Sequence, residues 1–435
     1  MIRSNRKHIS NYKEGGTVHH TLLIVFLLMQ GLAFAKKPPC PDASSLFLQA
    51  CDGKLYLQGK EYRAVGVNFY TAFRLYLDRG WEYPKGRGRE FARKELEHLG
   101  ARGIPIIRVM GLFSSNEFYE VFFDKHKRAQ RAKRKEFFSA LDAFLDDCNR
   151  LGIFVVYDLM WNMQNLADLG KHSLYESITN PKSPGNLQFE EFSRAVAARY
   201  KNRPGIIFGI GNEYNLKADL RVWLPQGVLE QTPLAEEQKL YRGPDNNFNS
   251  LELAAFFKRA IAGVKRAAPK HLVVTGNAEP RLEAMHLMRA ALGSTDAIEL
   301  DSLTEHEAAI VLLESSADMV SSHYYANEHI GAAWYRRVAR RLGKPLFMGE
   351  VGPHVTKAGD TFIGADYTDP DVIKAMRKKS RELVDAGTAI SLWWAYDCRD
   401  DGNMAFRLCY GKTDAMLAII EESNRAAQNS GKNTQ

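Results

Sequence analysis

The sequence predicts an α/β fold in which eight parallel strands and their helices close into a (β/α)₈ TIM barrel, preceded by a short N-terminal β-hairpin segment. Short apolar or β-branched runs recur eight times, and between them lie segments with apolar residues at spacings of three and four. The strand runs are almost continuously apolar, which indicates burial on both faces, as in a parallel sheet covered by helices. Alternation of strand and helix throughout closes most simply into a barrel.

Each predicted strand ends in polar or aromatic residues. The eight strands are Tyr62–Tyr70, Ile104–Phe113, Ile153–Trp161, Ile206–Glu213, His271–Asn277, Met319–Tyr325, Pro345–Glu350 and Ile390–Asp397. An open doubly wound sheet is the structural alternative. It would normally carry a glycine-rich phosphate turn after an early strand, and the first turn here (NFYTAF) has no glycine.

The intervening helices are marked by their apolar spacing. They are predicted at Phe91–Leu99, Phe137–Leu151, Phe189–Tyr200, Leu251–Ala267, Ala308–Leu313, Ala332–Leu342 and Val372–Ala386. Four of them run into a glycine before the next strand, at Gly103, Gly152, Gly343 and Gly387. Glycine is the usual residue just past a helix C-terminus, so these positions indicate helix ends.

The barrel accounts for most of the chain. Residues 62–425 form the predicted barrel domain, 36–61 an N-terminal lead segment and 426–435 a flexible tail. In the lead segment, Asp52-Gly53 predicts a tight hairpin turn, which we expect to close the bottom of the barrel. The insertion Leu216–Ser250 follows the fourth strand and is expected at the catalytic face, where long loops shape the cleft.

Residues 1–35 have the layout of a secretory signal peptide. A basic leader precedes an apolar run at Leu22–Ala35, which ends in the small-x-small sequence Ala33-Phe34-Ala35. An uncleaved membrane anchor is the alternative, although the run is shorter than the about 20 residues that a membrane span needs. We therefore expect a secreted protein, extracellular or periplasmic, with no membrane span after cleavage.

Charge and cysteine usage narrow the class further. The net charge of +8 is mild for 435 residues, and the densest basic run, Lys125–Lys135, has no interleaved aromatic residues of the kind that bind nucleic acid. We expect a monomer without a nucleic-acid partner. The cysteines suggest two local disulfides, Cys40 with Cys51 and Cys398 with Cys409, as in secreted proteins, and leave Cys148 as a buried thiol. No Cys or His cluster has zinc spacing, so neither a metal nor a cofactor is expected.

Functional side chains gather at the C-terminal ends of the predicted strands, which share one face of a barrel. Glu213 ends the fourth strand and Glu350 the seventh. The other strand-end candidates are Asn68, Arg108, Asn212, His323, Tyr325, Trp393 and Trp394. Glycoside hydrolysis needs one carboxylic acid to protonate the leaving oxygen and a carboxylate to attack or to guide water at the anomeric carbon. The two glutamates meet that requirement.

The motifs around these residues resemble glycoside hydrolase family 5, the cellulase- and mannanase-like enzymes of the clan of retaining β-glycosidases on (β/α)₈ barrels. They are GIGNEYN around Glu213, SHYY, MGEVG around Glu350, and WWAYD on the last strand. Each motif alone is weak, but together they occur in order and at the right strand ends. The resemblance covers about residues 44 to 425.

The resemblance implies roles for the catalytic pair and its neighbours. Glu213 matches the acid/base and Glu350 the nucleophile. Asn212 would bind the sugar 2-hydroxyl group. Arg108 and Tyr325 would hydrogen-bond the nucleophile, keeping it ionised and aimed.

The remaining positions carry substrate-binding roles in the same resemblance. His323 would support the acid/base side of the cleft, and Trp394 would form the floor under the reacting sugar. Trp394 is preferred over Trp393 because Trp-Ala-Tyr-Asp is more similar to the family's Trp-Ser-x-Asp ending; Trp393 and Asn68 remain candidate substrate contacts.

Two physical expectations accompany these roles. Two carboxylates about 5 Å apart cannot both ionise cheaply, so we expect Arg108 to keep the pKa of Glu350 low while the pKa of Glu213 rises. Because strand side chains alternate between faces, Asn212 and Glu213 can both face the cleft only if the strand ends in a bulge or turn. The glycines of Gly209-Ile210-Gly211 would allow it.

Two departures from the family pattern leave the substrate open. Strand three ends in Asp158-Leu159-Met160-Trp161 where many members have Asp-x-His, and Tyr214 follows the acid/base where proline is usual. The predicted function is hydrolysis of a β-linked polysaccharide or oligosaccharide, of the β-mannan or β-glucan class, by double displacement. A transglycosylase with the same residues and a non-catalytic carbohydrate-binding envelope protein are the alternatives.

Overall fold

A computed structural model describes residues 40–78, 86–112, 128–219, 247–294, 297–325, 330–353, 356–358, 361–363, 366–398 and 406–430. The predicted signal peptide, residues 220–246 of the predicted insertion and residues 431–435 of the predicted tail lie outside these ranges. Within them, no helix combines the length and the apolarity that crossing a bilayer requires.

A small antiparallel sheet precedes the barrel, as the sequence predicts. Its strands are β1 (Gln49–Cys51), β2 (Lys54–Leu57) and β3 (Lys60–Glu61). Asp52 and Gly53 join β1 to β2 with φ angles of 47° and 78°, the two positive values of a tight hairpin turn. Leu48 and Leu55 pack in one apolar cluster with residues of the barrel strands, so the hairpin covers one end of the barrel interior.

The barrel is a parallel sheet of eight strands. The further strands along the chain are β4 (Ala64–Asn68), β5 (Ile106–Met110), β6 (Phe154–Asp158), β7 (Ile206–Gly209), β8 (Val273–Val274), β9 (Val320–Tyr324), β10 (Leu346–Val351), β11 (Thr356–Ala358), β12 (Thr361–Ile363) and β13 (Ile390–Trp393). The order in the sheet is β8-β7-β6-β5-β4-β13-β10-β9, while β11 and β12 form a separate antiparallel pair. All eight predicted strands are therefore present, and the sheet is a nearly closed (β/α)₈ barrel.

Closure between the two end strands, β8 and β9, depends on polar side chains instead of a strand ladder. The backbone N–H of Asp318 donates to Val273 O at 2.9 Å, and its carboxylate accepts the N–H of Val273 at 2.8 Å. Buried Glu314 accepts from the N–H of Ser321 at 3.1 Å and from the hydroxyl of Thr275 at 2.7 Å. These bonds satisfy backbone and side-chain groups where β8 is only two residues long.

Helices surround the sheet. They are α1 (Ala72–Tyr76), α2 (Gly88–Ala101), α3 (Arg128–Arg150), α4 (Gln164–Gly170), α5 (Leu174–Thr179), α6 (Pro184–Tyr200), α7 (Ser250–Ala267), α8 (Ala284–Ala291), α9 (Leu303–Glu314), α10 (Ala332–Arg341), α11 (Pro370–Asp385) and α12 (Asp414–Ser430). Every predicted helix overlaps one of these. Helix α12 runs to Ser430, so the first part of the predicted flexible tail is helical.

The cysteines pair as predicted. Disulfides join Cys40 to Cys51 and Cys398 to Cys409. Cys148 is a buried free thiol on α3, and burial raises its pKa well above the usual value. The second disulfide spans the segment directly after the strand β13 that carries Trp393, and it therefore ties down the rim of the barrel near the predicted site.

Candidate active site

Glu213 lies just beyond β7, where the chain leaves the regular strand. Its φ of 54° and ψ of 32° place it in the left-handed region, which non-glycine residues rarely adopt. This turn lets Asn212 and Glu213 both face the centre of the barrel, which the alternation of a regular strand forbids. A turn was expected here, and the positive φ falls on the glutamate itself.

The two glycines before Glu213 serve close packing. A Cβ at Gly209 would lie 1.7 Å from Oδ1 of Asp158, and one at Gly211 would lie 2.3 Å from the ring of Tyr214. The hydroxyl of Tyr214, the residue that stands where proline is usual, donates to Met160 O at 2.6 Å and fixes the turn against the end of β6.

Glu350 lies at a bulge in β10. The register with β9 pairs Met348 with Ser322 and Glu350 with His323, so Gly349 is the extra residue. A Cβ on Gly349 would approach His323 Nε2 to 3.1 Å, which explains the small residue at this point. The bulge re-aims Glu350, as bulges often do beside functional sites.

Arg108, on β5, links the two sides of the site. Its Nη1 lies 3.2 Å from Glu350 Oε1, and its Nη2 donates to Asn212 Oδ1 at 2.8 Å. The same Nη2 lies 2.7 Å from Oδ2 of Asp158, and the guanidinium lies 4.6 Å from the ring centroid of Trp161. The side chain is fully buried, so one cation serves two buried carboxylates.

His323 and Tyr325 complete the cluster. Nδ1 of His323 lies 2.8 Å from Glu213 Oε1 and 3.5 Å from Glu350 Oε2. The hydroxyl of Tyr325 donates to Glu350 Oε2 at 2.5 Å. One carboxylate oxygen each of Glu213 and Glu350 and one ring nitrogen of His323 all lie within 4.8 Å of one another. This spacing suits attack by one carboxylate on a sugar whose leaving oxygen the other protonates.

Burial and hydrogen bonding set the acidities of the two glutamates in the opposite order to the one expected. Burial raises the pKa of Glu350 above its usual value, although His323, Arg108 and Tyr325 oppose the shift. Burial also raises the pKa of Glu213, but the hydrogen bond and charge of His323 outweigh it and hold that pKa below its usual value. The physical reason is that Glu350 is the deeper group, with 5% of its side chain exposed against 34% for Glu213, and that Arg108 is shared with Asp158.

Aromatic rings form one wall of the site. Trp394, half-buried, packs nearly parallel to Tyr70 with ring centroids 5.2 Å apart and to Trp161 with centroids 5.9 Å apart. The backbone N–H of Trp394 donates to Val351 O at 2.9 Å, which places it beside the strand of Glu350. Tyr70 was not among the predicted site residues. It is the last residue of the first predicted strand, as Trp161 is of the third, and that position was the signal that could have identified both.

Two predicted substrate contacts are corrected by their burial. Asn68 and Trp393 are both 0% exposed and therefore have no surface to offer a ligand. The Nδ2 group of Asn68 donates to Gly349 O at 3.0 Å and Leu392 O at 3.2 Å, so it supports the bulge that aims Glu350. Trp393 belongs to the apolar core because its side chain points away from the cleft that its neighbour Trp394 lines.

The fold also brings together groups with metal-binding donors, which sequence spacing could not reveal. One is the glutamate–histidine cluster just described. The other, His286, Asp301 and Glu305, lies between α8 and α9, where the guanidinium of Arg289 is 2.7 Å from Glu305 Oε1. In that second cluster the carboxylate of Glu305 is therefore already paired with the guanidinium of Arg289. The absence of a metal from the reaction stays a prediction.

Comparison with known proteins gives the family. The family model described as Cellulase (glycosyl hydrolase family 5) matches residues 99–395, which is more than half of the chain and includes every site residue predicted from the sequence except Asn68. No match to a curated protein was found.

Solved structures agree with the fold. A glycoside hydrolase family 5 mannosidase from Rhizomucor miehei is 17% identical with a TM-score of 0.57, and the match covers 89% of this chain and 99% of that one. An endo-1,4-beta-mannanase from the same organism is 16% identical with a TM-score of 0.58, covering 88% and 99%. The endo-beta-1,4-mannanase from Thermotoga petrophila is 14% identical with a TM-score of 0.54, covering 86% and 78%. At these identities the likeness establishes the barrel.

Proposed function

This chain belongs to glycosyl hydrolase family 5, a family of retaining glycosidases, and on that premise we propose that it cleaves a β-linked polysaccharide or oligosaccharide by double displacement. The observation that carries the proposal is the meeting of Glu213, His323 and Glu350 within 4.8 Å, with Arg108 and Tyr325 both bound to Glu350. A non-catalytic carbohydrate-binding protein would have no need of two carboxylates held at this distance.

In the first displacement Glu350 attacks the anomeric carbon while Glu213 gives a proton to the leaving oxygen. Arg108 binds one oxygen of Glu350 and Tyr325 binds the other. The two contacts fix the orientation of the carboxylate toward the anomeric carbon. Nδ2 of Asn212 is left to meet the sugar 2-hydroxyl, because its Oδ1 is bound to Arg108. A sugar that covers the exposed side of Glu213 removes water from that carboxyl group, which raises its pKa and favours the protonated form that the step requires.

In the second displacement a water molecule takes the place of the leaving group. Glu213, now ionised, accepts a proton from this water, which attacks the anomeric carbon and releases Glu350. His323 contacts Glu213 in both steps, and its hydrogen bond favours the ionised form that the second step uses. Transfer to a sugar hydroxyl in place of water would use the same residues and give a longer glycan.

For the substrate we propose the β-mannan class first and the β-glucan class second. The similar structures named above are mannanases and a mannosidase, which favours mannan, although their low identity leaves the linkage to experiment. The wall formed by Tyr70, Trp394 and Trp161 suits stacking against the apolar face of a sugar ring, since aromatic rings combine a large apolar surface with fixed geometry. We also propose that the protein is exported, which is consistent with its two disulfides.

The test is release of reducing ends from β-mannan, mixed-linkage glucan, cellulose and xylan by residues 36–435. Glu350→Ala is expected to abolish turnover, and Glu213→Ala to reduce it by about 10²- to 10⁴-fold on natural polymers. On a 2,4-dinitrophenyl glycoside, whose leaving group departs without a proton, added azide should rescue Glu213→Ala by replacing water in the second displacement, giving a β-glycosyl azide because the configuration is retained. A Glu350→Ala variant as active as the wild-type protein would refute the assignment.

A further inference from the structure

Asp158 forms an ion pair at the centre of the site that the two displacement steps do not account for. It is the last residue of β6, it is 0% exposed, and its Oδ2 lies 2.7 Å from Nη2 of Arg108. The contact between Arg108 and Glu350 is longer, at 3.2 Å. A single buried guanidinium therefore lies between two buried carboxylates and can neutralise the charge of only one.

The backbone around Asp158 is shaped to keep this contact. Its carboxylate lies against Gly209, where an added Cβ would stand 1.7 Å from Oδ1, so only glycine leaves room for it. Three residues further along the chain, the ring of Trp161 lies 4.6 Å from the same guanidinium. The end of β6 thus holds Arg108 through both an ion pair and a cation–π contact.

The charge on the other side of Arg108 changes during the proposed reaction. Glu350 is an anion in the free enzyme, becomes a neutral ester when it bonds to the sugar, and is an anion again after hydrolysis. Without a second partner, Arg108 would become an unpaired buried cation in the covalent intermediate, which is strongly unfavourable. Asp158 is the one other carboxylate within ion-pair distance of Arg108 among the described residues.

We propose that Asp158 is a positioning residue that balances the charge of Arg108 through both displacement steps and limits how strongly Arg108 stabilises the nucleophile. This inference rests on the proposed function. Because Asp158 competes with Glu350 for the charge of Arg108, it keeps the Glu350 carboxylate basic enough to attack. Burial raises the pKa of Asp158 to about 6 against the opposing charge of Arg108, so the group is ionised at neutral pH, where the balance is needed.

The test is the pH profile of Asp158→Asn on 2,4-dinitrophenyl β-mannoside and β-cellobioside. With Asp158 neutral, Arg108 acts on Glu350 alone, so the pKa of Glu350 falls and the acidic limb of kcat/KM moves to lower pH. The value of kcat/KM, which reports the first displacement, should fall by about tenfold or more at neutral pH, since the nucleophile is less basic. A role confined to holding Arg108 in place predicts the opposite shift, because a loosened guanidinium would let the pKa of Glu350 rise.

Two controls separate this inference from the effects of misfolding. Asp219→Asn removes a second buried carboxylate whose pKa burial raises to about 6, bound to Ser250 away from Arg108, and should leave the limb in place. Asp158→Ser removes the charge without adding an amide donor, and the same downward shift is expected if Asp158→Asn fails to fold.

The remaining outcomes distinguish this inference from the proposed function. If Glu350→Ala loses turnover but the acidic limb of both Asp158 variants stays in place or moves to higher pH, only the role of Asp158 is overturned. Turnover in Glu350→Ala, or no hydrolysis of either glycoside by the wild-type protein, would overturn the nucleophile on which it rests.

Discussion

Nδ1 of His323 lies 2.8 Å from Oε1 of Glu213. The same nitrogen is 3.5 Å from Glu350 Oε2, so one imidazole contacts both carboxylates of the proposed pair. His323 is itself buried and comes from β9, next to the strand of Glu350. Because its ring favours the ionised form of both glutamates, it sets the acidity of the pair as well as its geometry.

Replacing His323 with Asn should move both limbs of the pH profile to higher pH. Glu350 must be ionised and Glu213 protonated for the first displacement, and loss of His323 raises the pKa of each. The value of kcat should fall as well, because Glu213 loses the contact that orients it. The measurement is kcat/KM against pH, and a profile of reduced height with unmoved limbs would contradict this role of His323.

Replacing Tyr325 with Phe should move only the limb of the pH profile that reports ionisation of Glu350, again to higher pH. Burial already raises the pKa of Glu350 and the hydroxyl of Tyr325 opposes it, so removing the hydroxyl lets that pKa rise further. A hydrogen bond to a charged group contributes about 1.5–3 kcal/mol, which predicts that this limb moves by about one to two pH units.

The adjacent tyrosine supplies a matched control for that change. The hydroxyl of Tyr324 donates to Glu382 at 2.7 Å, on the helix side of the strand. Tyr324→Phe removes the same atom from the neighbouring residue and should leave the limb that reports Glu350 where it is. Equal shifts in the two variants would mean that the limb reports a general disturbance of β9.

Some features of this site follow from local sequence and others do not. Burial on both faces leaves a strand few polar positions except at its ends, so Glu213 and Glu350 could be identified from where the apolar runs stop, and Arg108 as a charge within such a run. The glycines predicted to end helices have positive φ angles in the structure, as at Gly103 with 69° and Gly343 with 66°. These features depend only on residues that are neighbours in the chain, so they can be predicted from the sequence.

What could not be predicted depends on contacts between distant strands. Asp158 and Glu350 are far apart in sequence, and only the closed barrel puts both against Arg108. The order of the two glutamate acidities was wrong for the same reason, since it depends on relative burial and on this sharing. The reduction of β8 to Val273–Val274 likewise depends on the side chains of Asp318, just before β9, and Glu314, at the end of α9, which replace its ladder.

Folding stability should fall in acid through His306, on α9. The side chain is 1% exposed beside the ring of Trp334, and burial lowers its pKa to about 4. The unfolded chain, with a histidine pKa near 6.5, binds a proton in a range where the folded protein does not. The free energy of unfolding should therefore decrease between pH 6.5 and pH 4, by at most about 3 kcal/mol.

Urea unfolding at pH 7.5 and at pH 4.5 measures that decrease. His306→Leu keeps an apolar side chain under Trp334 and should lose less stability between the two pH values than the wild-type protein. His172→Gln, at an exposed position, is the control and should behave like the wild type. An unchanged difference in His306→Leu would assign the acid sensitivity to other groups.

The two disulfides allow their effects on stability and activity to be compared at equal loop length. Both close a sequence separation of 11 residues, so replacing either pair with serines should lower the free energy of unfolding by a similar amount, roughly 2–3 kcal/mol. Only Cys398–Cys409 ties the segment that follows Trp394, where the backbone N–H of Leu408 donates to Ala395 O at 2.9 Å. Loss of this bridge should therefore raise KM, because the aromatic wall is less fixed, while loss of Cys40–Cys51 at the other end of the barrel should leave KM unchanged. Activity assays well below the unfolding temperature of each variant separate the two effects, and an equal rise in KM in both would mean that general destabilisation, and not the rim of the site, is responsible.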